Sequence, residues 1–129
     1  YAGSGILSLE ALSRGADQVT LVEKSKQTHQ HLLSTFRTLP CDNFEVISGT
    51  AAKFLETAYS TYDIVFIDPP FNSGEIEKIL PQLSDFGLVH MSSMIYVENN
   101  RPLDLPKFLS IHRQGRAGRI YYYLLKPII

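Results

Sequence analysis

The sequence predicts an α/β fold: a doubly wound, mostly parallel β-sheet with helices on both faces and an antiparallel hairpin at its carboxyl-terminal end. Three observations favour this class. Short β-rich runs alternate with segments of helical periodicity over the first 100 residues, the run at 62–68 has a continuous apolar centre, and two β-rich runs near the end flank a turn. Strands that alternate with helices form parallel sheets, because each helix returns the chain to the start of the next strand.

Apolar residues at a spacing of three or four positions predict four helices. These residues are Ile6, Leu7, Leu9 and Leu12; Leu32, Leu33, Phe36 and Leu39; Phe54 and Leu55; and Ile76, Ile79, Leu80 and Leu83. Gly15 follows the first group and is a candidate C-cap, and Pro40 limits the second helix. The third helix is the short segment Ala51–Thr57, with Phe54 and Leu55 directed inward.

Runs rich in β-branched and aromatic residues predict six strands. They lie at 18–23, 44–47, 62–68, 94–98, 108–112 and 119–125. The continuous apolar centre of the run at 62–68 is typical of a strand that is buried on both faces. Residues 115–118 separate the last two runs and predict the turn of the hairpin.

Length and composition predict a single globular domain over residues 1–129, with 44% hydrophobic and 19% charged residues. The chain shows neither the apolar run of about 18 residues that a membrane helix needs nor a signal peptide. One cysteine, Cys41, cannot form an internal disulfide. We therefore expect a protein of the reducing cytoplasm. The four histidines lack the spacing of metal ligands, so no metal site is predicted.

Positive charge is concentrated near the end of the chain. Residues 101–129 carry six basic residues and one acidic residue, whereas residues 1–100 carry six basic and twelve acidic residues. A positive field of this kind can attract phosphate groups, so Arg113, Arg116 and Arg119 are candidate RNA contacts. A solvated basic hairpin without a partner explains the charge equally well. The tyrosines at 121–123 either offer a stacking surface or, as we favour, cover the edge of the sheet.

A glycine-rich loop at residues 2–5, Ala-Gly-Ser-Gly, runs directly into the first predicted helix. Such loops hold nucleotide-like ligands in doubly wound folds, because glycines allow close approach and a helix N-terminus offers free N–H groups. Taken alone, the loop also fits a plain turn, since Ser8 stands where a third glycine would complete the dinucleotide motif. Glu23 lies 18 residues after Gly5 at a strand end. There it is a candidate acceptor for both hydroxyls of an adenosine ribose, rather than a surface residue.

Residues 68–71, Asp-Pro-Pro-Phe, directly follow the apolar strand at 62–68. Successive prolines fix φ, remove two N–H donors and keep the preceding residues extended. Asp68 and the Pro69 carbonyl can therefore form a rigid pair of acceptors for the two hydrogens of an exocyclic amine. Gripping both hydrogens frees the nitrogen lone pair for attack on a methyl sulfonium.

Phe71 can stack on an extruded base, as aromatic residues do in sites that flip bases. The polar residues 72–74, Asn-Ser-Gly, predict a mobile loop that could close over the base. In the alternative interpretation, the two prolines only end the strand and Phe71 packs in the core. Glu98, which ends the run at 94–98, could face the cleft, but we favour its interpretation as a surface residue.

The order of these motifs resembles the bacterial 16S rRNA guanine-N2 methyltransferases, named for guanine(966). The similar segments are AGSGILSLEALSRGA at 2–16, VE at 22–23, FIDPPF at 66–71 and IYVE at 95–98, so the resemblance covers nearly the whole chain. It implies a Rossmann-like class I methyltransferase fold, S-adenosylmethionine as cofactor and N2-methylguanosine in small-subunit rRNA as product. The family also has an upstream segment, so we expect that the N-terminal part of the domain is missing here.

By matching of motifs, the resemblance also implies site residues. Cofactor binding is expected at Ala2, Gly3, Ser4, Gly5, Glu23, Lys24, Thr50, Ala51 and Asp68, and catalysis at Asp68, Pro69, Pro70 and Phe71. The implied partner is rRNA within an assembling small ribosomal subunit, with no membrane. A DNA or other RNA amino-methyltransferase, and a non-catalytic RNA-binding domain of the same fold, stay open as alternatives.

Overall fold

The structure is a computed structural model that describes residues 1–128. Helices α1 to α4 span Ile6–Ser13, Lys26–Phe36, Ala51–Thr57 and Glu75–Asp85, and strands β1 to β6 span Val19–Glu23, Phe44–Ser48, Ile64–Ile67, Met94–Asn99, Leu109–Ala117 and Ile120–Pro127. The predicted alternation of strands and helices, followed by a terminal hairpin, is confirmed. Contacts divide the chain into two compact units, Tyr1–Phe54 and Leu55–Ile129. The single domain over 1–129 stays a prediction.

In the first unit, β1 and β2 form a two-stranded parallel sheet in which Leu21 lies opposite Val46. The core of this unit consists of Leu21 together with Leu32 and Phe36 of α2, all of them buried. Phe44 packs its ring against the edge of Phe36, with 5.2 Å between the ring centroids. Helix α2 is thereby held against the sheet by its apolar face.

Gly5 is the N-cap of α1 and adopts a left-handed backbone conformation, with φ of 80°. A Cβ atom at this position would lie 2.8 Å from Cδ2 of Leu32 and 2.9 Å from Cε2 of Phe36. The absence of a side chain therefore lets the start of α1 pack closely against α2.

Local hydrogen bonds cap the C-terminal end of α1 and the N-terminal end of α2. After α1, the N–H of Ala16 donates to the carbonyl of Ala11 and the N–H of Gly15 donates to that of Leu12. This is a Schellman motif, and it confirms Gly15 as the residue that ends α1. At the start of α2, the Ser25 side chain accepts a hydrogen bond from the N–H of Thr28.

The predicted extension of α2 to Leu39 is wrong, because the helix ends at Phe36. Beyond it, the Thr38 hydroxyl donates to the Thr35 carbonyl at 2.7 Å, and the N–H of Leu39 donates to the carbonyl of Phe36. A side chain that bonds the nearby backbone competes with continuation of the helix. The chain therefore turns three residues before Pro40.

In the second unit, four strands pair in the order β3-β4-β6-β5. Strands β3 and β4 are parallel, with Ile67 opposite Val97, whereas β6 is antiparallel to both β4 and β5. The buried hydrophobic residues of α4 and of this sheet are Ile76, Ile79, Leu80 and Leu83, and Ile67, Ile95, Val97, Leu109, Tyr123 and Leu125. Alternate residues of β4 are buried, so one face of the sheet belongs to the core.

The prediction that the apolar strand at 62–68 is buried on both faces is wrong. The strand is shorter and spans Ile64–Ile67. Within it, Ile64 is 59% exposed and Phe66 is 41% exposed, whereas Ile67 is buried. Among the described residues β3 pairs with β4 alone, which makes it an edge strand. Apolar residues on its second face thus remain accessible.

The hairpin turns at Gly118 and Arg119, between the paired residues Ala117 and Ile120. Gly118 has φ of 61°, and a positive φ at the first of two loop residues is typical of a type II′ turn. The prediction of a turn over 115–118 is therefore wrong. Gly115 instead lies within β5 opposite Tyr122, whose ring occupies the space that a Cβ atom would need.

None of the helices formed by residues 1–128 has the length and apolarity that spanning a membrane requires.

The packing of Gly5 predicts that Gly5→Ala lowers the free energy of unfolding by about 2–5 kcal/mol, because a left-handed backbone and an overpacked core both oppose the new methyl group. Gly15→Ala is the matched control. Gly15 also has a positive φ, but nothing lies within 4 Å of a Cβ atom there, so the expected loss is only about 1–2 kcal/mol. Urea unfolding measures both, and equal losses would contradict a packing role for Gly5.

Candidate functional site

The two glycines of the loop at residues 2–5 have different surroundings. Gly5 is buried against α2, whereas Gly3, with φ of 57°, has open space where a Cβ atom would point. The N–H of Gly5 donates to the carbonyl of Ala2 at 3.0 Å, which closes the loop into a tight turn. Gly3 is thus the position at which a ligand could approach the backbone, and Gly5 has a structural role.

Glu23 ties this loop to the end of β1. Its Oε1 accepts a hydrogen bond from the N–H of Gly3 at 3.0 Å, and its Oε2 accepts one from the N–H of Ser25 at 2.9 Å. Burial on its own would raise the pKa of Glu23, but backbone hydrogen bonds, foremost those from Ser25 and Gly3, together with the positive charge of the N-terminal amine leave the pKa below its ordinary value. A carboxylate has about four acceptor sites, so Glu23 can still accept further hydrogen bonds.

An open depression of about 520 Å³ lies beside the loop and is lined by Gly3, Ser4, Gln27, Thr28 and His31. The last three residues come from α2 and were not predicted as site residues. They are ordinary polar residues of an amphipathic helix, and only the packing of α2 against Gly5 brings them to the loop. No local signal in the sequence distinguishes them.

Thr50, expected near the adenine of a cofactor, has a structural contact in this unit. Its hydroxyl accepts a hydrogen bond from the N–H of Lys53 at 3.2 Å, which caps α3 just before its first residue, Ala51. The neighbouring Gly49 donates its N–H to the carbonyl of Glu23. The ends of β1 and β2 are thereby joined, and Lys24 lies exposed after β1.

In the second unit, the turn at residues 68–71 directly follows β3. Asp68 and Pro70 are exposed and Pro69 is buried, and the ring of Phe71 is 41% exposed. The alternative in which Phe71 packs in the core is therefore wrong. The next residue, Asn72, has a left-handed backbone and accepts through Oδ1 a hydrogen bond from Nδ2 of Asn100 at 3.2 Å. The start of the predicted mobile loop is thus attached to the segment that follows β4.

Glu98 lies beside Asp68 at the carboxyl ends of two paired strands. Ile67 and Val97 are in register, and each carboxylate follows one of them in the chain. Partial burial raises the pKa of Asp68, and the negative charge of Glu98 raises it further. The prediction that Glu98 is a surface residue is wrong, since it is half-buried and bonded within the site.

Tyr96 holds Glu98 from two positions earlier on the same strand. Its hydroxyl donates to Oε1 of Glu98 at 2.8 Å, and its ring meets the edge of Phe66 at 6.2 Å between centroids. Burial and the bond to Glu98 raise the pKa of Tyr96 to about 12, so the hydroxyl keeps its proton and stays a donor. Sequence reasoning missed Tyr96, although the alternation of β4 places it on the face of Glu98.

The three candidate RNA contacts of the hairpin, Arg113, Arg116 and Arg119, are all exposed. Arg116 donates through Nε to the carbonyl of Gly118 at 2.9 Å, and its guanidinium lies 4.9 Å from the centroid of the Tyr121 ring. These contacts organise the tip of the hairpin, and both interpretations of its charge stay open.

The comparisons with known proteins agree with the motifs. The family described as conserved hypothetical protein 95 matches residues 1–126. The chain belongs to this family. It is 39% identical to ribosomal RNA small subunit methyltransferase D of Escherichia coli over 127 residues, which are 96% of this chain and 64% of that protein. The chain thus spans less than two thirds of that relative, and the predicted resemblance to small-subunit rRNA methyltransferases is confirmed.

Solved structures of similar proteins have the same fold. The yhhF protein of Escherichia coli is 38% identical and superposes with a TM-score of 0.92, with 98% of this chain and 72% of that chain covered. The HI0767 protein of Haemophilus influenzae gives the same TM-score at 32% identity, with 100% and 84% covered. The predicted class I methyltransferase fold is confirmed. The roles of individual site residues stay predictions.

The bonds of Glu23 predict that Glu23→Gln lowers the free energy of unfolding by about 1–3 kcal/mol at neutral pH, because an amide offers one acceptor where two N–H groups need acceptors. The lowered pKa of Glu23 means that its contribution is present above the ordinary glutamate value and is lost as pH falls through the lowered value. The difference between wild type and variant should therefore shrink on acidification, as urea unfolding at several pH values would measure. Glu45→Gln, at an exposed strand position, is the control; a gap that stays constant with pH would contradict the assignment.

The pairing of Asp68 with Glu98 predicts that Glu98→Gln lowers the pKa of Asp68 towards its ordinary value, because the variant removes a neighbouring negative charge. Carbon-13 NMR of the Asp68 carboxyl, recorded as a function of pH, measures the midpoint directly. Glu45→Gln should leave it unchanged. A midpoint in Glu98→Gln equal to that of wild type would mean that the two carboxylates do not interact.

Proposed function

We propose that the protein is an S-adenosylmethionine-dependent methyltransferase that methylates N2 of a guanine in 16S rRNA. The observation that carries this proposal is the turn at residues 68–71, which offers an exposed carboxylate, two prolines and an exposed aromatic ring directly after β3. The name of the Escherichia coli relative, ribosomal RNA small subunit methyltransferase D, supports rRNA as the substrate. An assembling small subunit in the cytoplasm is the proposed setting.

The residues of the first unit fit the proposed cofactor. Open space at Gly3 allows close approach to the backbone, and the adjoining depression of about 520 Å³ is lined mainly by polar side chains. Glu23 is ionised, fixed by two N–H donors and still able to accept hydrogen bonds from ribose hydroxyls. We assign cofactor binding to this loop and strand end, with Lys24 and residues 50–51 at its margin.

When bound, S-adenosylmethionine supplies a methyl group on a positively charged sulfur, which a nitrogen lone pair can attack. The task of the second unit is to prepare that nitrogen. Asp68 accepts one amine hydrogen and the carbonyl of Pro69 accepts the other, so the lone pair is drawn out of conjugation with the base. As the nitrogen takes the methyl group, the carbon–sulfur bond would break, and the surplus amine proton would pass to the Asp68 carboxylate. Phe71 stacks on the base, and the prolines hold the acceptors without reorganisation during the reaction.

Because an ionised Asp68 is a much stronger acceptor than a protonated one, its raised pKa places a limit on activity at acidic pH. Protonation of Asp68 would convert an acceptor into a donor facing the N–H groups of the amine. The proposed reaction therefore runs at neutral pH and slows as pH falls through the pKa of Asp68.

The proposal predicts that the protein transfers a tritiated methyl group to undermodified small subunits or their rRNA and not to DNA. Asp68→Ala should reduce the rate by about 10²–10³-fold or more, the scale for loss of one preorganised group at a reacting centre. The assay counts methyl incorporation and locates N2-methylguanosine in the digested product.

Binding of the product analogue S-adenosylhomocysteine provides the control. A ligand that binds only the native state raises the melting temperature, and Asp68→Ala should keep this rise because donor binding depends on Gly3 and Glu23. Loss of both binding and transfer would mean that Asp68 serves the cofactor or the fold instead. Transfer to DNA but not to rRNA would overturn the proposed substrate.

A further inference from the structure

We propose that Glu98 selects guanine as the acceptor base by accepting the hydrogen on its ring nitrogen N1, and that Tyr96 positions Glu98 for this contact. The proposal rests on the function proposed above and adds to it the residue that distinguishes guanine from the other amino-bearing bases. It requires that Glu98 lie beside the amine-gripping carboxylate, that it be fixed, and that its chemistry match guanine alone.

The register of the sheet meets the first requirement. Ile67 of β3 and Val97 of β4 lie opposite each other in a parallel pair. Asp68 directly follows Ile67 and Glu98 directly follows Val97. Because the residue before a proline stays extended, Asp68 continues the direction of β3, and both carboxylates lie at the same sheet edge. The effect of the Glu98 charge on the ionisation of Asp68 agrees with this closeness.

The contacts of Tyr96 meet the second requirement. Its hydroxyl bonds Oε1 of Glu98 at 2.8 Å, and its ring is braced by the edge of Phe66. A long acidic side chain that would otherwise sample many rotamers is therefore held in one place, while its remaining lone pairs stay available.

The hydrogen-bonding edges of the bases meet the third requirement. Guanine carries a donor, N1–H, next to its exocyclic amine. Adenine and cytosine carry a bare ring nitrogen, an acceptor, next to theirs. An ionised carboxylate only accepts hydrogen bonds, so a second carboxylate beside Asp68 completes the contact with guanine and faces a lone pair in the other two bases. The two neighbouring acids thus suit a base with three adjacent donor hydrogens.

The test compares the rRNA substrate with the same RNA carrying 2,6-diaminopurine at the methylated position. This base keeps the 2-amino group but has a bare N1. Wild type should prefer guanine by roughly 10- to 100-fold in kcat/KM, the worth of a hydrogen bond to a charged group. Glu98→Gln should bring the ratio to within about threefold of unity, because the amide can donate to a bare N1 as well as accept. Tyr96→Phe should weaken the preference by a smaller factor.

Glu45→Gln, which removes an exposed glutamate from another strand, should keep the full preference. Equal loss of activity on both substrates in Glu98→Gln, or an unchanged ratio, would overturn the proposal. If Glu98→Gln does not fold, Tyr96→Phe decides by the same ratio, since it keeps the carboxylate and removes only the hydroxyl that positions it. Absence of transfer to guanine by wild type would instead overturn the proposed function, and this proposal with it.

Discussion

The pairing of β3 with β4 is the constraint on which the proposed acceptor site depends. Parallel strands end at one edge of a sheet, and the register of Ile67 with Val97 brings Asp68 and Glu98 side by side. Partial burial raises the pKa of Asp68, and repulsion from the neighbouring carboxylate of Glu98 raises it further. Such a pair of acids at the end of two strands agrees with the proposal that this edge binds the donor groups of a ligand.

The acids of the two units have opposite surroundings. Glu23 is buried with both oxygens bonded to N–H groups, and its pKa is lowered; Asp68 is exposed beside another acid, and its pKa is raised. The first carboxylate is satisfied by its own chain and organises a loop. We propose that the second, Asp68, accepts hydrogen bonds from the donors of a ligand. This contrast supports a fixed role for Glu23 in holding a ligand and a reactive role for Asp68.

Local patterns predicted the parts of the fold that depend on local chemistry. The alternation of strands and helices and the end of α1 at Gly15 follow from periodicity and turn residues near each element. Two errors were local, the end of α2 and the position of the hairpin turn. The others depended on distant partners. An apolar run cannot show how many neighbours its strand has, so the exposure of Phe66 was missed, and the packing of Gly5 against Leu32 and Phe36 requires the fold. Candidate site residues could be predicted where they form one continuous motif, as at residues 2–5 and 68–71.

Glu98 shows most clearly why the candidate site could not be predicted completely from the sequence. Thirty positions separate it from Asp68, and a glutamate at a strand end is usually solvated. Its proposed role rests on two facts of the fold: the register that sets it beside Asp68 and the alternation that sets Tyr96 on its face. Each alone is ordinary. Together they fix a second acceptor beside the first, and in the proposed reaction the number of acceptors at this edge decides which base can bind.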